Sequence, residues 1–244
     1  MYRKIHVLSS LAWIALASAA AIGSAHAAPI TVTGSGSDGP LSASADFAIS
    51  NGQIIVTLTN TLSASTIVSV GQAVSDVSFN LSNLAGTPGT ATASGQEGNV
   101  NSGATVSYTT GTPGRFIGVG GGSYSVSGNT VTLEAIGGSQ PTELILPAMT
   151  DGGTYASGNP GLVSHNPYTI GPATFTLALS GVTSTTTVTG VTFSFGTGPD
   201  TFISTGSNPP PPPPVPEPAS IALLGTGLAG LAGLVRRRVG VQTT

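Results

Sequence analysis

Cysteine is absent from the 244 residues, tryptophan occurs once, and charged side chains make up only 6% of the chain. The first absence removes disulfides, thiolate nucleophiles and thiolate metal sites together. The low charge, against about 25% in an average globular protein, leaves little room for ion-pair networks or for charged helix surfaces. Lysine occurs only at position 4, and between residues 28 and 208 Arg115 stands against eight carboxylates, a net charge of −7. A nucleic-acid interface neutralises phosphates with Lys and Arg, so nucleic acid is excluded as a partner. Zinc needs three or four His, Cys or carboxylate ligands, and the residue inventory supplies no ordinary set; no cofactor is expected.

What is present begins with a three-part N-terminus. Arg3 and Lys4 precede an apolar run from Val7 to Ser24, and Ala25-x-Ala27 offers the small side chains that a signal peptidase accepts. This pattern predicts a cleavable signal peptide over residues 1–27, cut between Ala27 and Ala28. His6 and His26 leave with it, so His165 is the one histidine of the mature chain. Export without cysteine means that stability rests on packing and backbone hydrogen bonds.

The C-terminus has its own grammar. Six prolines from Pro209 to Pro214 predict a stiff polyproline II spacer. Residues 219–235 carry no charge; as a helix they span about 25 Å, close to the hydrocarbon thickness of a bilayer. Arg236, Arg237 and Arg238 follow at once, as expected on the cytoplasmic side of a membrane span. Within the span, Gly225-Thr-Gly227-Leu-Ala-Gly230 matches the dinucleotide fingerprint in form only, because no strand precedes it and no acidic residue follows at the required distance.

Val215-Pro216-Glu217-Pro218-Ala219-Ser220, the apolar segment and the arginine cluster, in that order, resemble the PEP-CTERM sorting signal. The resemblance implies a substrate of exosortases, the membrane-embedded processing enzymes of Gram-negative bacteria that make exopolysaccharide. Pro216, Glu217 and Pro218 carry over as the recognition triplet, the apolar segment as a transient membrane stop, and Arg236, Arg237 and Arg238 as its cytoplasmic anchor. The same tail also bears a label taken from ice-binding proteins, which describes the tail and not a ligand. The implied route is export across the inner membrane, a membrane-anchored precursor, and then the cell surface or extracellular matrix. Signal peptidase and exosortase act as partners along the way, and exopolysaccharide is a candidate partner at its end.

The middle reads as all-β. Asn51-Gly52 suits a type I′ turn, and a two-residue loop there pairs Ile49 with Ile54, Phe47 with Val56 and Ala45 with Leu58 on one face. A second hairpin at Gly128-Asn129 pairs Val126 with Val131 and Tyr124 with Leu133. Alternation recurs at Val77/Phe79/Leu81, Ala104/Val106/Tyr108, Phe175/Leu177/Leu179 and Val191/Phe193/Phe195. Roughly eight to ten strands and almost no helix predict an antiparallel two-sheet sandwich, with the jelly roll among its forms. The organisation expected is signal peptide 1–27, sandwich domain 28–207, proline-rich linker 208–215, sorting signal 216–238 with its membrane helix at 219–235, and cytoplasmic tail 239–244.

Chemistry is sparse in that middle. Asp46, Asp76 and Glu134 alternate away from the apolar face, while Asp38, Asp151 and Asp200 sit in Gly-rich turns. Solubilising and edge-protecting roles fit them, and nothing marks the paired carboxyls of a glycosidase. Calcium could use turn carboxylates and carbonyls, but no EF-hand-type loop is present. His165 has no G-x-S-x-G elbow to serve. Asn80-Leu-Ser82 matches a glycosylation sequon. Thr185-Thr-Thr187-Val-Thr189 is a single short threonine run, less than an ice-binding face needs.

The leading expectation is a non-enzymatic structural or adhesive surface protein. A polysaccharide-binding module is the alternative. In that reading Tyr108, Tyr124, Tyr155 and Tyr168 are the stacking candidates, with Tyr108 and Tyr124 expected to face the core and Tyr155 and Tyr168 left as the pair to test. Ice binding and a glycan-active enzyme come last.

Overall fold

The computed structural model describes residues 25–26, 28–84, 88–109, 123–135, 143–198 and 201–204. The rest of the expected signal peptide, the proline spacer and the expected membrane helix lie outside the described residues. No helix among the described residues is long and apolar enough to cross a membrane.

The chain is mostly β and forms two sheets. In the first, β1 (Ala25–His26) and β2 (Ile30–Gly36) both pair with β3 (Gly39–Ser50), which turns at Asn51 and Gly52 into β4 (Gln53–Asn60). Gly52 sits at φ +77, which a side chain resists. The register joins Ile49 to Ile54, Phe47 to Val56 and Ala45 to Leu58, as the turn predicts, and all six are buried. Beyond β4 come β13 (Ala173–Leu179) and then β6 (Pro88–Ser94).

The second sheet is built on β5 (Val74–Leu81). One edge of β5 pairs with β14 (Val188–Phe195), and β14 with β15 (Thr201–Ser204). The other edge is shared. Asp76 to Asn80 pair with β10 (Thr130–Glu134), which continues to β9 (Ser123–Ser127) with Val126 opposite Val131 and Tyr124 opposite Leu133. Val74 instead pairs with β11 (Ile145–Leu146). From there the sheet continues through β12 (Tyr168–Ile170) and β7 (Glu97–Val100) to β8 (Val106–Tyr108).

Four expectations need correction. The sheets are not wholly antiparallel: β11 and β12 pair in parallel, because the long connection between them returns the chain in the same direction. Jelly-roll alternation between sheets is not followed, since β2, β3 and β4 are successive neighbours in one sheet. Strands exceed the expected number, fifteen among the described residues; several of the extra ones, such as β6 with Pro-Gly-Thr-Ala-Thr-Ala-Ser, lack large apolar side chains. The run Ala104/Val106/Tyr108 is buried at Ala104 and Val106 as expected, but it is not a single strand. Gly103 at φ 78 and Ala104 at φ 62 turn the chain out of strand geometry, and Tyr108 is 41% exposed at the sheet's end.

Alternate residues of the two sheets fill one apolar core. Phe47 of the first sheet meets Phe79 of the second edge-on, and each fully buried side chain of this size contributes roughly 2–3 kcal/mol. Helix is confined to α1 (Pro160–Ser164) and three short 3-10 turns among the described residues. Asn159 caps α1 by accepting the Leu162 N–H at 2.9 Å, with Pro160 in the first turn.

The fold has two distinct ends. At one, the turns after β3, β5 and β13 bond to each other: Gly52 N–H donates to Val182 O at 2.8 Å and Ser82 N–H to Thr187 O at 3.0 Å. At the other, the Ser37–Asp38 turn, the 3-10 turn Val70–Gln72 and the Gly196–Gly198 turn converge. Strand β15 starts opposite Phe195 and ends opposite Thr192, so it runs toward the first end.

Candidate functional site

Catalytic groups were sought first around His165, which ends α1. Its Nδ1 lies 2.7 Å from Gly161 O and 3.1 Å from Ser164 Oγ. A carbonyl oxygen only accepts, so Nδ1 carries the hydrogen and cannot take a proton from Ser164. The Ser164 hydroxyl donates to the same carbonyl at 3.2 Å. This is a helix-end arrangement, not a nucleophile and its base.

The carboxylates fall as the strand alternation predicts, with one addition. Asp46, Asp76 and Glu134 are half-buried on the faces away from the core. The β5–β10 register sets Asp76 directly opposite Glu134, a pairing that neither residue's own neighbourhood in the sequence reveals. Asp76 Oδ1 accepts the Ala135 N–H at 3.0 Å. Asp151 Oδ1 accepts the Tyr108 N–H at 3.0 Å, which fastens a loop to β8. Asp200 lies outside the described residues. No group of three or more His or acidic side chains gathers among the described residues.

Three of the four tyrosines reverse their expected places, and Tyr124 keeps its own. Tyr155 and Tyr168, the expected sugar-stacking pair, are 4% and 0% exposed. Their hydroxyls donate to Pro147 O at 2.7 Å and Leu162 O at 2.8 Å, so both rings are structural. Burial drives both hydroxyl pKa values well above the ordinary tyrosine range, with a smaller push from neighbouring tyrosines. Tyr124 is half-buried against the core, and burial pushes its hydroxyl up to about 12. Tyr108, expected inside, lies out and donates to Met149 O at 2.5 Å. The threonine run is not a flat array either, since Thr186 is buried and its Oγ1 accepts the Thr183 N–H at 2.9 Å. Asn80 of the sequon is exposed and accepts the Thr130 hydroxyl at 2.7 Å.

One cavity of about 280 Å³ opens where the three turns of the second end meet. Asp38, expected as a turn carboxylate and named with Asp151 and Asp200 as a calcium-ligand candidate, is on its wall. Its Oδ2 accepts the Ser69 hydroxyl at 2.8 Å, and Ser69 Oγ in turn accepts the Gly71 N–H at 3.2 Å. A side chain at Gly71 would run into the Asp38 carboxylate. Gly196, at φ +81, is as confined, because a Cβ there would lie 3.2 Å from Gly71 Cα. The turns close on each other only because both positions are bare.

The residues predicted to direct sorting lie elsewhere. Ala25 belongs to β1 and Ala28 is exposed, while Ala27, Pro216, Glu217, Pro218, Arg236, Arg237 and Arg238 lie outside the described residues. A family profile for the PEP-CTERM protein-sorting motif matches residues 214–238. The chain carries a PEP-CTERM sorting motif. The matched PEP-CTERM span contains the Pro-Glu-Pro triplet, the apolar segment and all three arginines, and begins one residue before the stretch that carries the resemblance. No curated protein and no solved structure matches the chain. The PEP-CTERM motif marks an exported protein that exosortase processes, and it leaves the chemistry of the β domain open.

Proposed function

We propose that the chain is a non-enzymatic structural or adhesive component of the cell surface or exopolysaccharide matrix, delivered there by signal-peptide cleavage and then by exosortase processing of its tail. The observation that carries this reading is the ordered motif at residues 214–238. Its parts divide the work physically. The proline spacer holds the Pro216-Glu217-Pro218 triplet clear of the folded domain, since ten residues from Pro209 to Pro218 span roughly 30 Å in a polyproline II conformation. An apolar segment followed by three arginines stops transfer and fixes the span's direction. In the domain, the His165 arrangement supports a scaffold over a catalyst. Cleavage after Ala27 detaches β1 and leaves β2 as the first strand.

The test follows the tail. An epitope inserted in the Gly128–Asn129 turn reports size and location in cells, and Pro216, Glu217 and Pro218 are replaced together by alanine. The expected result is a larger species that stays with the membrane fraction while the wild-type chain is shortened and released outward. Unchanged size and location of the triple variant overturn the reading. The mass of mature protein recovered from outside the cell fixes both processed ends; terminal arginines still present there overturn it as well.

A further inference from the structure

We propose that the cavity between the Ser37–Asp38, Val70–Gln72 and Gly196–Gly198 turns binds a single neutral sugar ring through its hydroxyl groups. Its volume, about 280 Å³, stands at the lower limit of ligand pockets, which run from roughly 300 Å³ upward. That suits one ring and not an extended oligomer.

The lining sets the chemistry. Asp38 supplies an acceptor-only carboxylate, Ser37 and Thr197 supply hydroxyls that both donate and accept, and Val70 and Phe195 form the apolar part of the wall. Sugar hydroxyls are donors that a fixed carboxylate holds well. Asp38 is fixed: the Ser69 hydroxyl holds Oδ2, and Ser69 is itself held by the turn's own N–H. Its Oδ1 has no hydrogen-bond partner among the described residues and is left for a ligand. Gly71 and Gly196 let the three turns close on one another, which holds Asp38 against the Val70–Gln72 turn and sets the shape of the wall.

Charge narrows the class further. With one arginine against eight carboxylates between residues 28 and 208, an anionic ligand is repelled. A calcium ion needs six to eight oxygens, and Asp38 is the one carboxylate on this wall. A neutral polyol meets neither obstacle.

Position completes the argument. Strand β15 runs from opposite Phe195, beside the cavity, to opposite Thr192. If the chain keeps that heading, an anchored precursor presents the cavity at the end of the domain remote from the tether. This presentation rests on the sorting reading above; the ligand class does not.

The test uses the full chain purified in detergent micelles, with glucose, galactose, mannose and N-acetylglucosamine as separate probes at millimolar concentration. Saturation-transfer NMR is expected to detect contact with at least one of them. Asp38→Asn keeps the shape and removes the charge, and is expected to weaken that binding at least tenfold. Thr197→Val removes a hydroxyl from the other wall and is expected to weaken it too; melting temperatures show whether each variant is folded, and Thr197→Val decides if Asp38→Asn is not. No transfer from any of the four sugars overturns the proposal, as does binding that survives both substitutions. Calcium chloride that raises the wild-type melting temperature but not that of Asp38→Asn, with no sugar bound, also overturns it in favour of a cation. The Pro216, Glu217 and Pro218 triple variant separates the two readings, because its tail processing can fail or persist without altering sugar binding in micelles.

Discussion

The Asn60 side chain donates to the main-chain carbonyl of Gln72 at 2.8 Å, and both residues are buried, at 2% and 0% exposed. Asn60 also donates to Ile145 O at 3.2 Å and accepts the Leu62 N–H at 3.2 Å, so one amide joins the end of β4 to β11 of the other sheet. The Gln72 side chain holds the same connection from inside. It accepts from Val68 N and Ser69 N and donates to Pro40 O and Thr66 O. Both amides are satisfied, which is the condition for burying them without penalty.

Asn60→Leu leaves three main-chain groups buried without this partner, and at about 1–3 kcal/mol for each unmet group the loss is expected to reach roughly 3 kcal/mol or more. Urea denaturation measures it. Gln72→Leu is expected to cost a similar amount, and the double variant less than the sum, because the two amides support one connection. A loss below about 1 kcal/mol for both single variants contradicts the role given to them here.

Phe47 and Phe79 stand 5.0 Å apart between ring centroids with their planes at 68°, an aromatic contact between the two sheets. Phe79→Ala is expected to destabilise by about 3–5 kcal/mol through lost burial and an incompletely filled cavity. Phe79→Leu, which keeps most of the volume, is expected to cost less. Equal midpoints for wild type and Phe79→Ala in a denaturant titration refute this packing.

Gly158→Ala tests a close approach of backbone to backbone. The added Cβ would lie 2.5 Å from Ala104 N and 3.3 Å from Ala104 Cβ, and a main-chain nitrogen cannot swing aside as a side chain can. The expected cost is about 1–3 kcal/mol, seen as a lower melting temperature. Gly52→Ala, with nothing within 4 Å of the added atom, isolates the cost of positive φ alone.

Alkaline pH is expected to unfold the domain through Tyr155 and Tyr168. Burial raises both folded-state pKa values above the unfolded value of 10.0. The neutral form is therefore the one the fold retains, and its stabilisation is fully present below pH 10. As pH rises beyond 10 the unfolded chain loses protons that the folded chain keeps, so stability falls by about 1.4 kcal/mol per pH unit from each tyrosine. Melting temperature followed from pH 8 to 12, with tyrosinate absorbance as the second signal, checks this. A melting temperature that stays level throughout contradicts the burial of the two hydroxyls.

The hairpins were legible because local chemistry and periodicity agreed. Asn51-Gly52 fixed a two-residue loop, and once the loop length was set the partners of Phe47 and Ile49 followed from counting. Strand β6 was invisible for the opposite reason: its small residues carry no alternation, and it becomes a strand by pairing with β13. Tyr155 and Tyr168 sit where carbonyls of distant loops, not pattern, decide their burial. The cavity joins turns near residues 37, 71 and 196, a convergence that only tertiary structure creates. The tail was legible for yet another reason, since its apolar length, its prolines and its charges act directly on a membrane and need no fold to be read.

Strand β13 sits between β4 and β6, with Thr57 and Thr174 in side-chain contact at a separation of 117 residues. In a chain that crosses a membrane N-terminus first, the meander of β2, β3 and β4 emerges early and waits with one edge open. Its missing neighbour arrives only when residue 173 and those after it have passed through. Such distant pairing is slow to form and exposes a strand edge meanwhile. The first sheet therefore cannot be completed until the chain is available as far as Leu179, so the order of the strands in the sequence makes the domain close late.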